Sequence, residues 1–473
     1  MSSIFTLGYE NNYLPVEWLR AYITPIFKKG SSTDPNNYRP IALTSTICKL
    51  MESIIKNQIL SYLLTKGLIS KKQHAFIANH STATNLLECT QDWFVSLNSS
   101  RDTDVIYIDF SRAFDSIVIS KLLFKLEQYG ICGKLLNWIS SFLTNRSQCV
   151  VLDHNYSTVC EVVSGVPQGS VLGPLLFIIF INDIETVCCG DCSLQLFADD
   201  VKLYSRIDLN HSSTLQQSLD NLVEWASAWQ LSININKCTV LIVSNKSSIS
   251  NRSYFINGIC IDASTHVRDL GITISSNLSF QLHINNIVAK ARQRVSALFR
   301  GFISRNLIIM RNAFICYIRP LLEYNSIVWN PSHIYLIELI ENVQRNFTKR
   351  IASLSSMSYH ERLAALNLEP LELRRLRFDL VNYYKIINNI SPIDPSNIFS
   401  FSNTITSTRS ALPHLLKPLK ASNKLLSTFS CRQIDCWNYL PPLTRNLTSL
   451  TSFKSALKNI DFSSFLKSSA FRQ

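Results

Sequence analysis

Leu194-Gln195-Leu196-Phe197-Ala198-Asp199-Asp200-Val201, followed by Leu203 and Tyr204, decides how this chain is read. Apolar residues flank two adjacent carboxylates, the pattern of strand, tight turn and strand, with Asp199 and Asp200 at the bend. Ninety residues earlier the apolar run Val105-Ile106-Tyr107-Ile108 ends in Asp109. Two buried strands that each deliver a carboxylate to one edge of a sheet build a site for two divalent ions. Two such ions about 3.5–4 Å apart are what in-line phosphoryl transfer requires. A polar β-turn would account for Asp199-Asp200 alone, but not for Asp109 at the end of an apolar strand.

The 473 residues suffice for two or three domains and a sizeable core. A hydrophobic content of 46% and a mean hydropathy of +0.10 exclude a disordered chain. The net charge of +13 and a pI of about 9.1 point to a polyanionic partner, nucleic acid or an acidic membrane surface. Met1-Ser2-Ser3-Ile4-Phe5 has neither the charged nor the apolar region of a signal peptide. The longest apolar stretch, Val171 to Ile181, is about half the ~20 residues of a membrane span. It contains Gly173 and Pro174 and reads as a buried helix, so no membrane partner is expected. Thirteen scattered cysteines, an odd number, fit reduced thiols in the cytosol or nucleus. Cys189 and Cys192 could form half a zinc site, but no second pair follows, and a loop before the Asp199 strand is the alternative.

Periodicity supplies the elements. A basic, turn-rich stretch from Lys28 to Pro40 precedes helices over 47–64 and 81–97, the second with Ser81 or Thr82 as N-cap. A strand over 104–110 leads to a helix over about 119–143. Strands near 148–152 and 158–163 precede Gly165-Val166-Pro167-Gln168-Gly169-Ser170. A helix over 171–187, a hairpin over 194–204, a helix over 212–230 and strands near 239–243 and 267–274 follow. From about 280 the chain reads helical, with a loosely ordered stretch over 396–430 and a last helix near 450–468. The whole suggests an α+β body followed by a helical appendage.

An ordered series of motifs runs through the body: Pro25-Ile26-Phe27-Lys28-Lys29-Gly30, Asn37-Tyr38-Arg39-Pro40-Ile41, His80-Ser81-Thr82, Asp109-Phe110-Ser111-Arg112-Ala113-Phe114-Asp115, Ser164-Gly165-Val166-Pro167-Gln168-Gly169-Ser170, Phe197-Ala198-Asp199-Asp200, Asn236-Lys237-Cys238 and Asp269-Leu270-Gly271. Singly they are weak signals. In this order they resemble the reverse transcriptases of non-LTR (LINE-type) retrotransposons, most like the jockey-type group, over about residues 13–350. The resemblance implies an α+β right-hand polymerase. Its fingers would span 13–103 and its palm 104–275, with interleaved finger strands, so that the reverse transcriptase domain covers about 13–275. A thumb and connection would span 276–355, ahead of an all-helical C-terminal region, 356–473, of unknown role. The implied activity is RNA-directed DNA synthesis, extending a DNA primer on an RNA template with dNTPs and two Mg²⁺ ions, Mn²⁺ being the alternative.

By the same resemblance Asp109, Asp199 and Asp200 match the catalytic carboxylates, oxygen ligands suited to Mg²⁺. Asp109 and Asp199 would bridge the ions and Asp200 would assist at the primer-end metal. Phe114 matches an aromatic under the incoming sugar that excludes a 2′-hydroxyl by collision, and Phe110 joins it among the nucleotide-binding residues. Asp115 gives a spacing that RNA-dependent RNA polymerases share, so Phe114 is what points to DNA. Gln168 and Gly169 match the loop beneath the templating base pair. Arg39 and Lys28 match finger residues over the triphosphate. Lys237 matches a proposed general acid for pyrophosphate, a solvated loop lysine being the alternative. Asp269-Leu270-Gly271 matches a primer-grip turn. Lys290 and Arg294 share a helical face where the family has its thumb and would track the phosphates of an RNA–DNA hybrid; a solvated basic face is the alternative. Arg374-Arg375-Leu376-Arg377, followed by Tyr383-Tyr384-Lys385, fits amphipathic packing better than RNA binding.

The chain departs from the family in places. Ala75 and Ile77 stand where relatives have Gly and Arg, which could remove a phosphate or template contact. Ile117-Val118-Ile119 replaces a Pro-His pair and would alter only a helix start. Members of this group carry an endonuclease before the polymerase, whereas the resemblance here begins near Tyr13. This chain is therefore expected not to nick DNA by itself, to work with a separate endonuclease, and to reside in cytoplasm and nucleus. The rival reading is a catalytically silent RNA-binding relic.

Overall fold

The computed structural model describes residues 2–207, 212–246, 252–304, 306–402 and 414–468. In chain order its strands to residue 162 are β1 (Arg20–Phe27), β2 (Tyr38–Leu43), β3 (Asp102–Ile108), β4 (Arg146–Leu152), β5 (Asn155–Tyr156) and β6 (Cys160–Val162). Then follow β7 (Ser193–Phe197), β8 (Asp200–Ile207), β9 (Thr239–Val243), β10 (Phe255–Ile256), β11 (Ile259–Cys260), β12 (Ala263–Ser264), β13 (His266–Asp269) and β14 (Ile272–Ser275).

Five of them form the central sheet in the order β12-β9-β3-β8-β7. β3 lies in the middle, antiparallel to both β8 and β9. Val105, Ile106 and Ile108 are buried, as an almost continuous apolar run demands when both faces of a strand are covered. The register pairs Ile108 with Val201; one residue further along, Asp109 stands level with Asp200. The second sheet runs β2-β1-β4-β5, with β6 also on β4, and β1 and β4 are parallel. Only Ala21, Ile23 and Ala42 form its buried cluster. The two parts of the body meet where the Ala42 N–H donates to the Gln168 carbonyl at 2.8 Å.

Several helices follow local signals. Helix Thr82–Asn98 starts at a capping box in which the side chains of Ser81 and Thr84 each bond the other's backbone N–H. Helix Gly173–Ile181 is buried on every side, as its uniform apolarity predicts, and tightens into a 3₁₀ stretch over Asn182–Val187. Among the described residues no helix is long and apolar enough to cross a membrane. The single helix expected over 119–143 is two, Ile119–Gln128 and Gly133–Leu143, because the chain turns at Gly130 with φ +82°. The strand expected near 267–274 is the hairpin β13–β14, bent at Leu270–Gly271.

The C-terminal part is no appendage. One buried cluster runs from Trp93 and Val105 through Val288, Trp329 and Phe347 to Trp437 and Phe462. Helices Gln281–Gly301, Ile334–Lys349 and Leu371–Ile387 thus share a core with the central sheet. The region is helical apart from a short pairing of Ser400–Phe401 with Leu415–Leu416. Of the stretch expected to be loose, residues 403–413 lie outside the described residues. Its flanks form the short helices Pro395–Ile398, Asn423–Leu426 and Phe429–Arg432. The last helix is shorter than expected, Leu450–Ala456.

Candidate active site

Asp109 leaves the end of β3 where the chain is braced from the side. Its carbonyl accepts from Asn234 N at 2.8 Å, and Ser111 N donates to the Ser232 carbonyl at 2.7 Å. The facing hairpin turns one residue earlier than the sequence suggests: Phe197 pairs with Asp200, so Ala198 and Asp199 form the bend and Asp200 opens β8. Ala198 adopts φ +55°, a conformation that costs a non-glycine residue about 1 kcal/mol and needs support. Gln73 gives it. Its buried Oε1 accepts from Ala198 N at 3.0 Å and from Ala75 N at 2.9 Å. The flanking backbone of Lys72 and His74 bonds Leu196 on either side, at 3.0 Å each. Nothing in the local pattern marks Gln73 for this task.

The electrostatics of this edge are one-sided. Burial raises the Asp199 pKa, the Asp109 charge raises it further, and Arg39 and Lys237 pull against them. Asp200 is pushed up to about 6, first by loss of water and then by Asp199 and Asp269, with Lys202 opposing. Asp200 still keeps an open face, so the desolvation comes from the protein behind it, and the cost to the fold is correspondingly reduced by solvent. Lys237, on the 3₁₀ turn Ile235–Lys237, places its ammonium 3.1 Å from Asp109 Oδ2, both side chains being open to solvent. Among the described residues no three acidic, His or Cys groups already converge on one point. The carboxylates thus offer hard oxygen donors and a negative potential without a closed cage. That suits Mg²⁺, which keeps waters and phosphate oxygens in its shell.

Behind Asp200 lies a buried ion pair, Lys202 with Asp269, at 2.7 Å. Lys202 also donates to Asn85 Oδ1 at 2.6 Å. Asp269, expected to face a primer, therefore points inward, and only Leu270 and Gly271 of that motif stand at the turn. A lysine inside the apolar run of β8 was the sequence signal for this pair; its partner could not be read.

The motifs around Phe114 and Gln168 do converge. Phe114 stacks on Phe177, with centroids 4.2 Å apart and rings 14° from parallel, and meets the edge of Phe76 at 6.5 Å. Gln168 Nε2 donates to Asp115 Oδ1 at 2.7 Å. Gly169 has φ +119°, and a Cβ there would lie 2.3 Å from the Ala42 carbonyl oxygen, so no other residue fits this crossing. Phe110 departs from its expected role: the residue is 4% exposed, and its side chain lies in the core beside β3 rather than on an open surface. Ala75 and Ile77 are likewise buried, so these positions present no phosphate or template contact. Arg39 is exposed on β2, opposite Ile26. Lys28 is exposed too, its N–H donating to the Asn37 carbonyl at 2.8 Å. Arg112, left without a role by the motif reading, donates to Asn36 Oδ1 at 3.2 Å and ties that loop to the Asp109 segment.

Lys290 and Arg294 are both exposed on helix Gln281–Gly301, but Arg294 Nη1 donates to the Tyr317 carbonyl at 3.1 Å. The basic run at 374–377 is structural. Arg375 is fully buried, Arg374 pairs with Glu323, and Arg377 with Glu369. Cys189 Sγ receives a hydrogen bond from Asn221 Nδ2 at 3.2 Å in the loop before β7, and among the described residues no cluster of three His, Cys or acidic groups forms around it.

Comparison with known proteins places this arrangement. The chain is 29% identical over 356 residues to the RNA-directed DNA polymerase from mobile element jockey of Drosophila melanogaster, covering 72% of this chain and 39% of that one. It is 28% identical over 342 residues to the probable RNA-directed DNA polymerase from transposon X-element of the same organism, covering 70% and 37%. The chain thus spans under two-fifths of the length of these relatives. Among solved structures, apo telomerase from Candida Tropicalis is a loose likeness, with a TM-score of 0.45 and 12% identity over 80% of this chain and 70% of that one. The pattern of the family described as reverse transcriptase (RNA-dependent DNA polymerase) matches residues 26–274, which include the central sheet and all three carboxylates. With just over half its length matched to that pattern, the chain belongs to the reverse transcriptase family.

Proposed function

We propose that this chain is an RNA-directed DNA polymerase of a non-LTR retrotransposon, extending a primer 3′ end on an RNA template. The observation that carries the reading is the meeting of Asp109 with the Asp199-Asp200 bend at one edge of the central sheet. Asp109, Asp199 and Asp200 would hold two Mg²⁺ ions, with Mn²⁺ as the substitute. Bound there, the ions supply a lowered pKa for the primer 3′-hydroxyl and neutralise the leaving pyrophosphate.

The protein does the rest. Phe114, stiffened by its stack on Phe177, excludes a 2′-hydroxyl. Asp115 takes the Gln168 amide N–H and thereby turns the Gln168 carbonyl oxygen toward a sugar or base donor. Arg39 and Lys28 receive the triphosphate. Lys237 delivers a proton to pyrophosphate from its place beside Asp109. Lys290 meets the phosphates of the hybrid. In this reading fingers, palm and thumb span 13–103, 104–275 and 276–355.

The test is primer extension on a defined RNA template with Mg²⁺, comparing wild type with Asp199→Asn. Extension by the wild type alone supports the proposal. RNA retained without dNTP incorporation by either protein would favour the silent relic instead.

A further inference from the structure

The Leu270–Gly271 turn is held from outside its own hairpin. Leu270 (φ +44°) and Gly271 (φ +89°) are both left-handed, and the first, a branched residue, stays so only if its surroundings over-determine it. On one side Lys202 anchors Asp269. On the other, the Tyr324 hydroxyl donates to the Leu270 carbonyl at 3.1 Å and stands 3.1 Å from the Thr82 hydroxyl. A Cβ on Gly271 would lie 3.0 Å from Tyr324 Cε1, so the ring rests against the glycine. Asn325, itself left-handed at φ +51°, donates to Thr82 Oγ1 at 3.0 Å. The buried Trp329 donates its indole N–H to the Tyr324 carbonyl at 2.8 Å. Tyr324 is thus fixed through its hydroxyl, its ring and its backbone, yet 46% of its surface stays open. A rigid aromatic with one face wet and the other braced is a prepared contact surface.

Tyr324 lies beyond the residues that match the family pattern, 26–274. We propose that it completes the surface that supports the primer strand. Tyr324 is a positioning residue: it holds the Leu270–Gly271 turn and sets the open part of its ring against the sugar–phosphate backbone of the primer. This inference rests on the polymerase reading above.

The test is primer extension by the full chain, varying primed template at saturating dNTP and then the reverse. Tyr324→Phe keeps the ring and removes the hydroxyl. It should raise KM for primed template about fivefold, the worth of one net hydrogen bond, and leave KM for dNTP unchanged. Tyr324→Ala should raise it about 30-fold, since the ring contact is lost too. Thr82→Val, which reaches the same hydroxyl from the other side, replaces Tyr324→Ala if that variant fails to fold; it should raise the same KM. Variants that lower kcat alone, with KM for primed template unmoved, would show Tyr324 to be only a brace and overturn the proposal. If wild type extends nothing, the polymerase reading fails on its own, and equilibrium binding of a labelled RNA–DNA hybrid decides. Weaker binding by Tyr324→Phe supports the inference; equal binding, or none by either protein, overturns it.

Discussion

Along the edge of the central sheet stand Asp109, Asp199 and Asp200; burial raises the pKa of Asp199 and of Asp200, and the Asp109 charge adds to both. In the C-terminal helices two buried carboxylates meet hydrogen-bond donors instead. Asp379, fully buried, takes two donors from Arg432 at 2.6 and 2.8 Å and a third from Asn330 at 3.0 Å. Glu341, also buried, accepts the Tyr359 hydroxyl at 2.5 Å and the N–H of Leu371 at 3.0 Å, at the start of helix Leu371–Ile387. The same residue types thus serve opposite ends. Paired charge fixes how helices dock, and removing one partner is costly. Like charge gathered at one edge lowers stability and creates affinity for a cation. The strained turn at Ala198 belongs with the carboxylate edge, not with the paired charges.

The sharpest way to break this contrast is to neutralise one carboxylate on each side. Asp199→Asn should lower primer extension by about 10³-fold or more, while the thermal midpoint stays level or rises because a repelling charge is gone. A fall in midpoint would make Asp199 structural. Asp379→Ala should do the reverse, destabilising the fold by about 3–5 kcal/mol as Arg432 is left unpaired. Urea denaturation measures it, and an unchanged midpoint would remove the contrast. Phe114→Ala should weaken discrimination against ribonucleotides by roughly 10–100-fold in a dNTP/rNTP competition; an unchanged ratio would take Phe114 out of the steric role.

The smallest effect is in pH. With Asp200 raised to about 6, extension should fall about tenfold per unit below that value, as the ligand becomes protonated. Stability in EDTA should move the other way. A raised carboxyl binds its proton more tightly in the folded state, so its contribution is complete below the ordinary range near about 4 and is lost as pH rises through about 6. Thermal midpoints across that window should fall more steeply for wild type than for Asp200→Asn. Parallel curves would show that Asp200 titrates as an ordinary surface carboxylate.

Much of the site is legible in the sequence. The strands carrying Asp109 and the Asp199-Asp200 bend announce themselves by apolar runs broken by acid. These are local signals, written in consecutive residues. Phe110, Ala75, Ile77 and Asp269 could not be placed the same way, because motif membership does not say which side of a strand or turn a side chain takes.

From the sequence alone came the three carboxylates, the strands that deliver them and the α+β body, because alternation and turn chemistry act within a few residues. Tertiary structure alone decided what holds them. Gln73 reaches Ala198 across 125 positions, Lys202 reaches Asp269 across 67, and Tyr324 reaches Leu270 across 54. A buried polar group must find a partner, but the chain does not state which one until folding brings distant segments into contact.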